Sequence, residues 1–252
     1  MAPYERTDES DAPARQEPWV ETYLEARRRE GRLYPDSLVA HLPIVPRSHP
    51  LHDEWRRRAD SSARLVEYLR RRRPAFVLDA GCGNGWLTNL MAGIPGVLVH
   101  GIDPNEVELD QAARVFRAPN LRFTLDDILG MTPREPPDVV ILASVIQYIP
   151  DLGSALQRIA AMLAPGGETH ILDSPLYEGW QLEDARERTR RHYASVGVPR
   201  MADAYHHHTW EVLDGFRADV LYLPRAGLRA RVERRVLGRP RSPFPWIRIR
   251  AT

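Results

Sequence analysis

Three glycines alternate directly after an apolar run that ends in an acid, in Val77-Leu78-Asp79-Ala80-Gly81-Cys82-Gly83-Asn84-Gly85-Trp86. Leu87 to Ala92 then reads as a helix. The order strand, Gly-rich turn, helix offers backbone amides and a helix N-terminus to a ligand. Side chains at the glycines would block that ligand or forbid the dihedrals of the turn. Cys82 is the one cysteine of the chain, so an internal disulfide and a multi-cysteine metal site are excluded. It reads as a small residue that fits a tight turn.

Such a turn serves dinucleotide dehydrogenases, flavoenzymes and methyltransferases alike, and a second acid decides more. Leu98-Val99-His100-Gly101-Ile102-Asp103 reads as a strand ending in Asp103, eighteen residues after Gly85. A carboxylate there accepts hydrogen bonds from vicinal ribose hydroxyls. Asp79, at the mouth of the turn, would repel phosphates and attract an ammonium group. The glycine spacing is also tighter than G-x-G-x-x-G. A ligand with adenosine at one end and a cationic amino acid at the other satisfies both acids, and S-adenosyl-L-methionine is that ligand.

Alternating elements must position these residues. Apolar runs at 75–79, 97–102, 121–125, 138–143 and 168–172 enclose helical pieces at 86–93, 105–116 and 151–164. That alternation predicts a parallel sheet covered by helices on both faces. Asp151 caps the clearest helix, whose apolar face is Leu152, Leu156, Ile159 and Leu163, and Pro165-Gly166-Gly167 ends it. Ahead of the sheet, Trp19 to Glu30 and residues 51–73 read as helices, the second stopped by Pro74. Ala218 to Leu223 and Phe244 to Ile249 read as a final antiparallel pair.

In these motifs the chain resembles the class I S-adenosylmethionine-dependent methyltransferases of the small-molecule group. The matching residues are the glycine turn with Asp79, Gly101-Ile102-Asp103, Phe123-Thr124-Leu125-Asp126-Asp127, Asp138-Val139-Val140-Ile141-Leu142-Ala143-Ser144 and Leu163-Ala164-Pro165-Gly166-Gly167. The resemblance covers about residues 50 to 175. It implies an α/β, Rossmann-like three-layer sandwich: a seven-stranded, mostly parallel sheet with an antiparallel last strand, plus N-terminal helices and a helical lid. It also implies cofactor roles. Asp79, Gly81, Gly83 and Gly85 hold the methionine moiety, and Asp103 holds the ribose. Asp126 or Asp127 accepts from the adenine amino group, Asp127 being favoured, and the amide of Ile128 bonds the ring. Ser144 lies beside the methionine end, with Gln147 and Tyr148 following toward the substrate. Tyr34, Arg57 and Arg58 are alternatives for the cofactor carboxylate.

The pattern breaks at 176–208, a segment long enough to be a functional insertion. We expect a lid with a charged helix (Leu182 to Val196) and an inner side of Trp180, Tyr193, Met201 and Tyr205, suited to a planar or greasy acceptor. A short helix, Thr209 to Phe216, follows it. Methyl transfer needs alignment first and a base only where the acceptor must lose a proton early. Candidates for that role are His206, His208 and Tyr148; in an extended loop, His206 and His208 face one side and His207 the other. Asp173 with Tyr177 is a second candidate for substrate contact. No metal site is expected.

The expected domains are a disordered tail (1–18), an N-terminal helical cap (19–73) and the methyltransferase domain (74–252) carrying the lid. The chain contains no lysine, so Schiff-base chemistry and a P-loop lysine are excluded. A formal net charge of +1 gives no electrostatic case for nucleic acid, although the basic segment 225–241 bears on an RNA alternative. No apolar run reaches about 18 residues, so no membrane span is expected. The acidic, polar start argues against a signal peptide and for a cytoplasmic protein. The expected function is methylation of a small molecule, O-methylation first, in bacterial secondary metabolism, by a monomer or homodimer. The alternatives are a cofactor-binding protein that catalyses cyclisation or elimination, and a non-enzymatic cofactor-binding module.

Overall fold

A computed structural model of the chain describes residues 5–6, 18–224 and 241–251. The tail apart from Glu5, Arg6 and Pro18, and the basic segment 225–241 apart from Arg241, lie outside the described residues. Eight strands form one sheet: β1 (Glu5–Arg6), β2 (Phe76–Ala80), β3 (Leu98–Asp103), β4 (Leu121–Leu125), β5 (Val139–Ala143), β6 (Glu168–Leu172), β7 (Arg217–Tyr222) and β8 (Trp246–Arg250). Their order is β1-β4-β3-β2-β5-β6-β8-β7. β8 runs antiparallel to both β6 and β7, and the other pairs are parallel. The seven expected strands and the antiparallel last strand are all present. The eighth, β1, pairs Glu5 with Thr124 and Arg6 with Leu125 at the β4 edge, inside the segment expected to be a disordered tail.

β2 is the switch point, with β3 on one side and β5 on the other. Crossovers leave it in opposite directions, and the carboxyl ends of β2 and β5 open a crevice between them. Its side chains alternate between two cores. Leu78 and Ala80 join Val140 and Leu142 against α6 (Leu152–Met162). Val77 joins Ile141, Leu65, Leu69 and Met91, from α3 (His52–Arg72) and α4 (Trp86–Ala92). Thus α3, expected with the N-terminal cap, belongs to a helical layer of the sheet. Local signals set the helix ends. Asp151 accepts from the Ser154 amide at the start of α6, and Asn105 accepts from the Val107 and Glu108 amides at the start of α5 (Glu106–Val115). Arg73, in the left-handed region, closes α3 ahead of Pro74.

Above the carboxyl ends of the strands lies a cap of two parts. α1 (Pro18–Arg29) packs on the 176–208 excursion, where Ala26 meets Tyr193, Val198 and Met201. Arg29 donates to the Gly197 carbonyl at 2.8 Å, and His192 Nε2 lies 2.6 Å from Glu30 Oε1. The ends of the excursion are pinned together. The Tyr177 amide donates to the His208 carbonyl, and the Trp210 amide to the Tyr177 carbonyl. The charged helix of the excursion is α7 (Leu182–Ser195). The short helix expected over 209–216 is a single 3-10 turn, Trp210–Leu213. No helix among the described residues is long and apolar enough to cross a membrane.

Candidate active site

The glycine turn sits over the end of β3, and there the first reading needs correcting. The amides of Gly81 and Cys82 donate to the Ile102 carbonyl, Gly83 donates to Asp103 Oδ2 at 2.7 Å, and Gly85 donates to the Cys82 carbonyl. The unpaired acceptors at the end of β3 take these donors, so the four amides are spent inside the fold. The glycines answer to packing as well. Gly81 has φ +77°, and a Cβ there would run into the Val145 side chain. Gly85 has φ +75°, and its Cβ would lie 2.7 Å from Phe123 and 2.8 Å from Ala112. Neither position admits a side chain, with or without a ligand.

What the sheet offers a ligand is carboxylates. Asp79 is 2% exposed and accepts one bond, from Thr88 Oγ1 at 2.7 Å. Burial pushes its carboxyl up to about 6, against the opposing effect of Thr88. A buried carboxylate with a single donor is well short of saturation. Asp103 accepts from the Gly83 and Asn105 amides. Burial, with the Glu108 carboxylate nearby, raises it to about 7. Two backbone donors leave lone pairs for two more. Asp127 lines a hollow of about 590 Å³ with Pro104, Leu129 and Trp19, whereas Asp126 turns an oxygen onto the Asp127 amide. Asp127 in turn accepts from the Leu129 amide with Oδ1, at 3.0 Å. The Ile128 side chain is buried in the core beneath.

The cap supplies long cations and aromatic rings. Arg58 lies 5.4 Å over the Trp55 ring, and Trp55 packs edge-on against Trp86 at the head of α4. Arg32 forms a two-point pair with Glu54, at 2.6 and 2.7 Å. Burial alone would raise the Glu54 carboxyl, but Arg32 and Arg58 bring it down to about 2. Tyr23 donates to Glu108 Oε2 at 3.4 Å. Tyr148 stacks on Trp19 at 5.7 Å. Sequence reasoning missed Tyr23, Arg27, Arg32, Glu54 and Glu108, all of which line the cleft. One signal was available. Trp19, Tyr23 and Arg27 stand four apart on α1 and so share one helical face.

Ser144, Gln147 and Tyr148 form the wall between this cleft and an adjoining cavity of about 330 Å³. Ser144 has φ +59°, and its hydroxyl donates to the Asp173 carbonyl. Asp173, also in the left-handed region at φ +49°, reaches both spaces and accepts from the Ser61 and Ser242 hydroxyls. Tyr177, expected beside Asp173, instead packs on His207 at 5.5 Å.

The histidines do not gather at this wall. His206 faces the hollow that holds Asp127, and His208 Nε2 lies 2.9 Å from the Ile146 carbonyl oxygen, holding the loop to the strand end. His206 and His208 do lean the same way, with ring centroids 6.5 Å apart, while His207 reaches Thr189. Of the three residues expected to act on the acceptor, Tyr148 alone stands between the two spaces. Tyr193 and Tyr205 line the adjoining cavity and Met201 is buried, but Trp180 is 80% exposed and lines neither space. Arg57 reaches only the cavity, so of the three carboxylate candidates Arg58 and Tyr34 remain at the cleft. Among the described residues no cluster of His, Cys, Asp or Glu could hold a metal.

Residues 77–167 match a family model described as a methyltransferase domain. The trans-aconitate 2-methyltransferase of Methylobacterium nodulans is 39% identical over 95 residues, 37% of this chain and 36% of that protein. The ubiquinone biosynthesis O-methyltransferase of Bradyrhizobium diazoefficiens is 35% identical over 109 residues, 42% of this chain and 41% of that protein. The chain thus spans less than half the length of these two relatives. The plantazolicin methyltransferase BpumL, solved with a triazolic desmethylPZN analogue and SAH, shares the fold. Its TM-score is 0.56 at 15% identity, over 94% of this chain and 100% of that one. The N-methyltransferase NodS from Bradyrhizobium japonicum WM9 has a TM-score of 0.50 at 17% identity, over 77% and 96%. The sheet order and the glycine turn within residues 77–167 are thus those of a methyltransferase domain.

Proposed function

We propose that the chain transfers a methyl group to an oxygen of a small-molecule acceptor seated in the cavity behind Ser144, Gln147 and Tyr148. One observation carries the reading: a cleft that holds the underbonded Asp79 shares that wall with a second, aromatic-lined space. The donor set fits S-adenosylmethionine, because a cationic amino acid answers the underbonded Asp79 and ribose hydroxyls answer Asp103. When bound, that cofactor supplies a sulfonium-activated methyl group. Asp79 would hold the ammonium, Asp103 the ribose, Asp127 with the Ile128 amide the adenine edge, and Ser144 the methionine side. Arg58, braced on Trp55 and Glu54, would hold the carboxylate.

The remaining work falls to alignment, and α1 and the excursion close over the site to provide it. Tyr148 stands where acceptor and methyl would meet, and burial raises its phenol. It would therefore orient the acceptor as a neutral hydroxyl. Oxygen as the receiving atom has support in the name of the ubiquinone relative. A bacterial, secondary-metabolic setting is part of the proposal, on the strength of the all-arginine basic set and the aromatic cavity.

Calorimetric titration with S-adenosylhomocysteine tests the core of this reading. Saturable binding is expected, and no binding up to millimolar ligand would sink it. Asp127→Ala should weaken binding and Asp126→Ala should not.

A further inference from the structure

The wall shared by the two spaces carries cations and anions, and their pairing is nearly complete. Glu54 is taken by Arg32 and Arg58, and Glu30 by Arg32 and His192. Asp173 accepts from two serine hydroxyls. Glu108 accepts from Tyr23.

Arg27 is the exception. Its buried Nε has no hydrogen-bond partner, and its nearest counter-charges, Glu108 and Glu30, act on it through space. Its guanidinium carbon lies 5.6 Å from the centroid of the Tyr23 ring. A guanidinium removed from water needs a counter-anion with planar acceptors, and leaving it unpaired is costly. Arg27 lines both the cleft and the acceptor cavity.

Building on the methyltransferase reading, we propose that the acceptor is a carboxylic acid and that Arg27 is the residue that receives its carboxylate. Position separates this role from that of Arg58. Arg58 stands over Trp55 and Trp86, at the head of α4 beside the methionine side of the cleft. Arg27 stands at Tyr23, whose hydroxyl rests on Glu108 of α5, so it faces the ribose side and Tyr148. A cofactor carboxylate held near Arg58 leaves Arg27 free. The acceptor cavity supplies the rest of the fit: Tyr148, Tyr193, Tyr205 and Phe244 give it flat aromatic walls, so the body of the acid should be planar.

Matched acids and amides test the assignment. The full chain, saturated with S-adenosylhomocysteine, is titrated with benzoate against benzamide and with cinnamate against cinnamamide, by calorimetry. At least one acid should bind ten times or more tighter than its amide. In Arg27→Met that preference should fall to about twofold, with S-adenosylhomocysteine affinity changed less than threefold. Arg27→Lys should keep part of the preference.

Two results would overturn the proposal. One is that neither acid outbinds its amide. The other is that Arg27→Met weakens S-adenosylhomocysteine tenfold or more, which would give Arg27 to the cofactor's own carboxylate. If the unaltered chain does not bind S-adenosylhomocysteine, the underlying methyltransferase reading falls, and this assignment with it.

Discussion

On the sheet side of the cleft the polar groups are short carboxylates fixed by hydrogen bonds close in the fold: Asp103 by two backbone amides, Asp79 by the Thr88 hydroxyl within the β2–α4 unit. On the cap side they are long arginines and tyrosines held by one another, Arg32 and Arg58 by Glu54, Tyr148 by Trp19. The first arrangement has almost no rotamer freedom to lose when a ligand arrives. The second keeps several flexible side chains in one geometry through ion pairs that water and salt weaken. A constant ligand suits the first and a variable acceptor suits the second.

The largest effect that would break this contrast lies at Gly81. Gly81→Ala places a methyl group against Val145 at a positive φ and should cost about 2–4 kcal/mol of stability in a denaturant melt. An unchanged midpoint would mean that the turn is less rigid than described. Asp103→Ala comes next. It removes acceptors for the Gly83 and Asn105 amides as well as for the ribose, and S-adenosylhomocysteine binding should weaken by about 1.5–3 kcal/mol. Retained affinity would move the ribose elsewhere.

A pH series gives a smaller shift. Burial raises Asp79 to about 6, so the ligand-free protein favours its protonated form. Its contribution to stability is present below about pH 4 and is lost as pH rises through 6. A ligand ammonium favours the charged form, so S-adenosylhomocysteine affinity should rise about tenfold from pH 5 to 7, with proton release measurable in buffers of different ionisation enthalpy. Flat affinity across that window would detach Asp79 from the ammonium. The smallest effect belongs to Trp180. Exposed at the outside of the cap, its replacement by alanine should move stability by less than about 0.5 kcal/mol and leave binding alone.

The sheet was legible because its strands are short apolar runs between periodic helices, and β2 to β6 fall within a residue of the ranges read from the sequence. The acids at strand ends were legible for the same reason: a strand end in a parallel sheet is already a place in space. The cap was not. Arg27, Arg32 and Glu54 meet through packing between segments that share no local pattern. The three histidines drew attention by type, yet nothing in the sequence decides which end of an extended loop points inward, and His208 serves the loop. The glycines were found correctly and partly for the wrong reason. Alternate spacing marked the turn, but the need for it comes from Val145, Phe123 and Ala112.

Asp173 holds Ser61 with one oxygen and Ser242 with the other, and that arrangement has a consequence in time. A ribosome delivers the chain from its N-terminus. The three acids and the glycine turn lie between residues 79 and 127, and the lining of their cleft is complete once Asp173 has been made. The acceptor wall needs a serine from α3, the end of β6 and a loop delivered some seventy residues later. A nascent chain would therefore possess a place for the cofactor well before a place for the molecule to be methylated, and pulse-labelled chains of increasing length should gain the two binding capacities in that order.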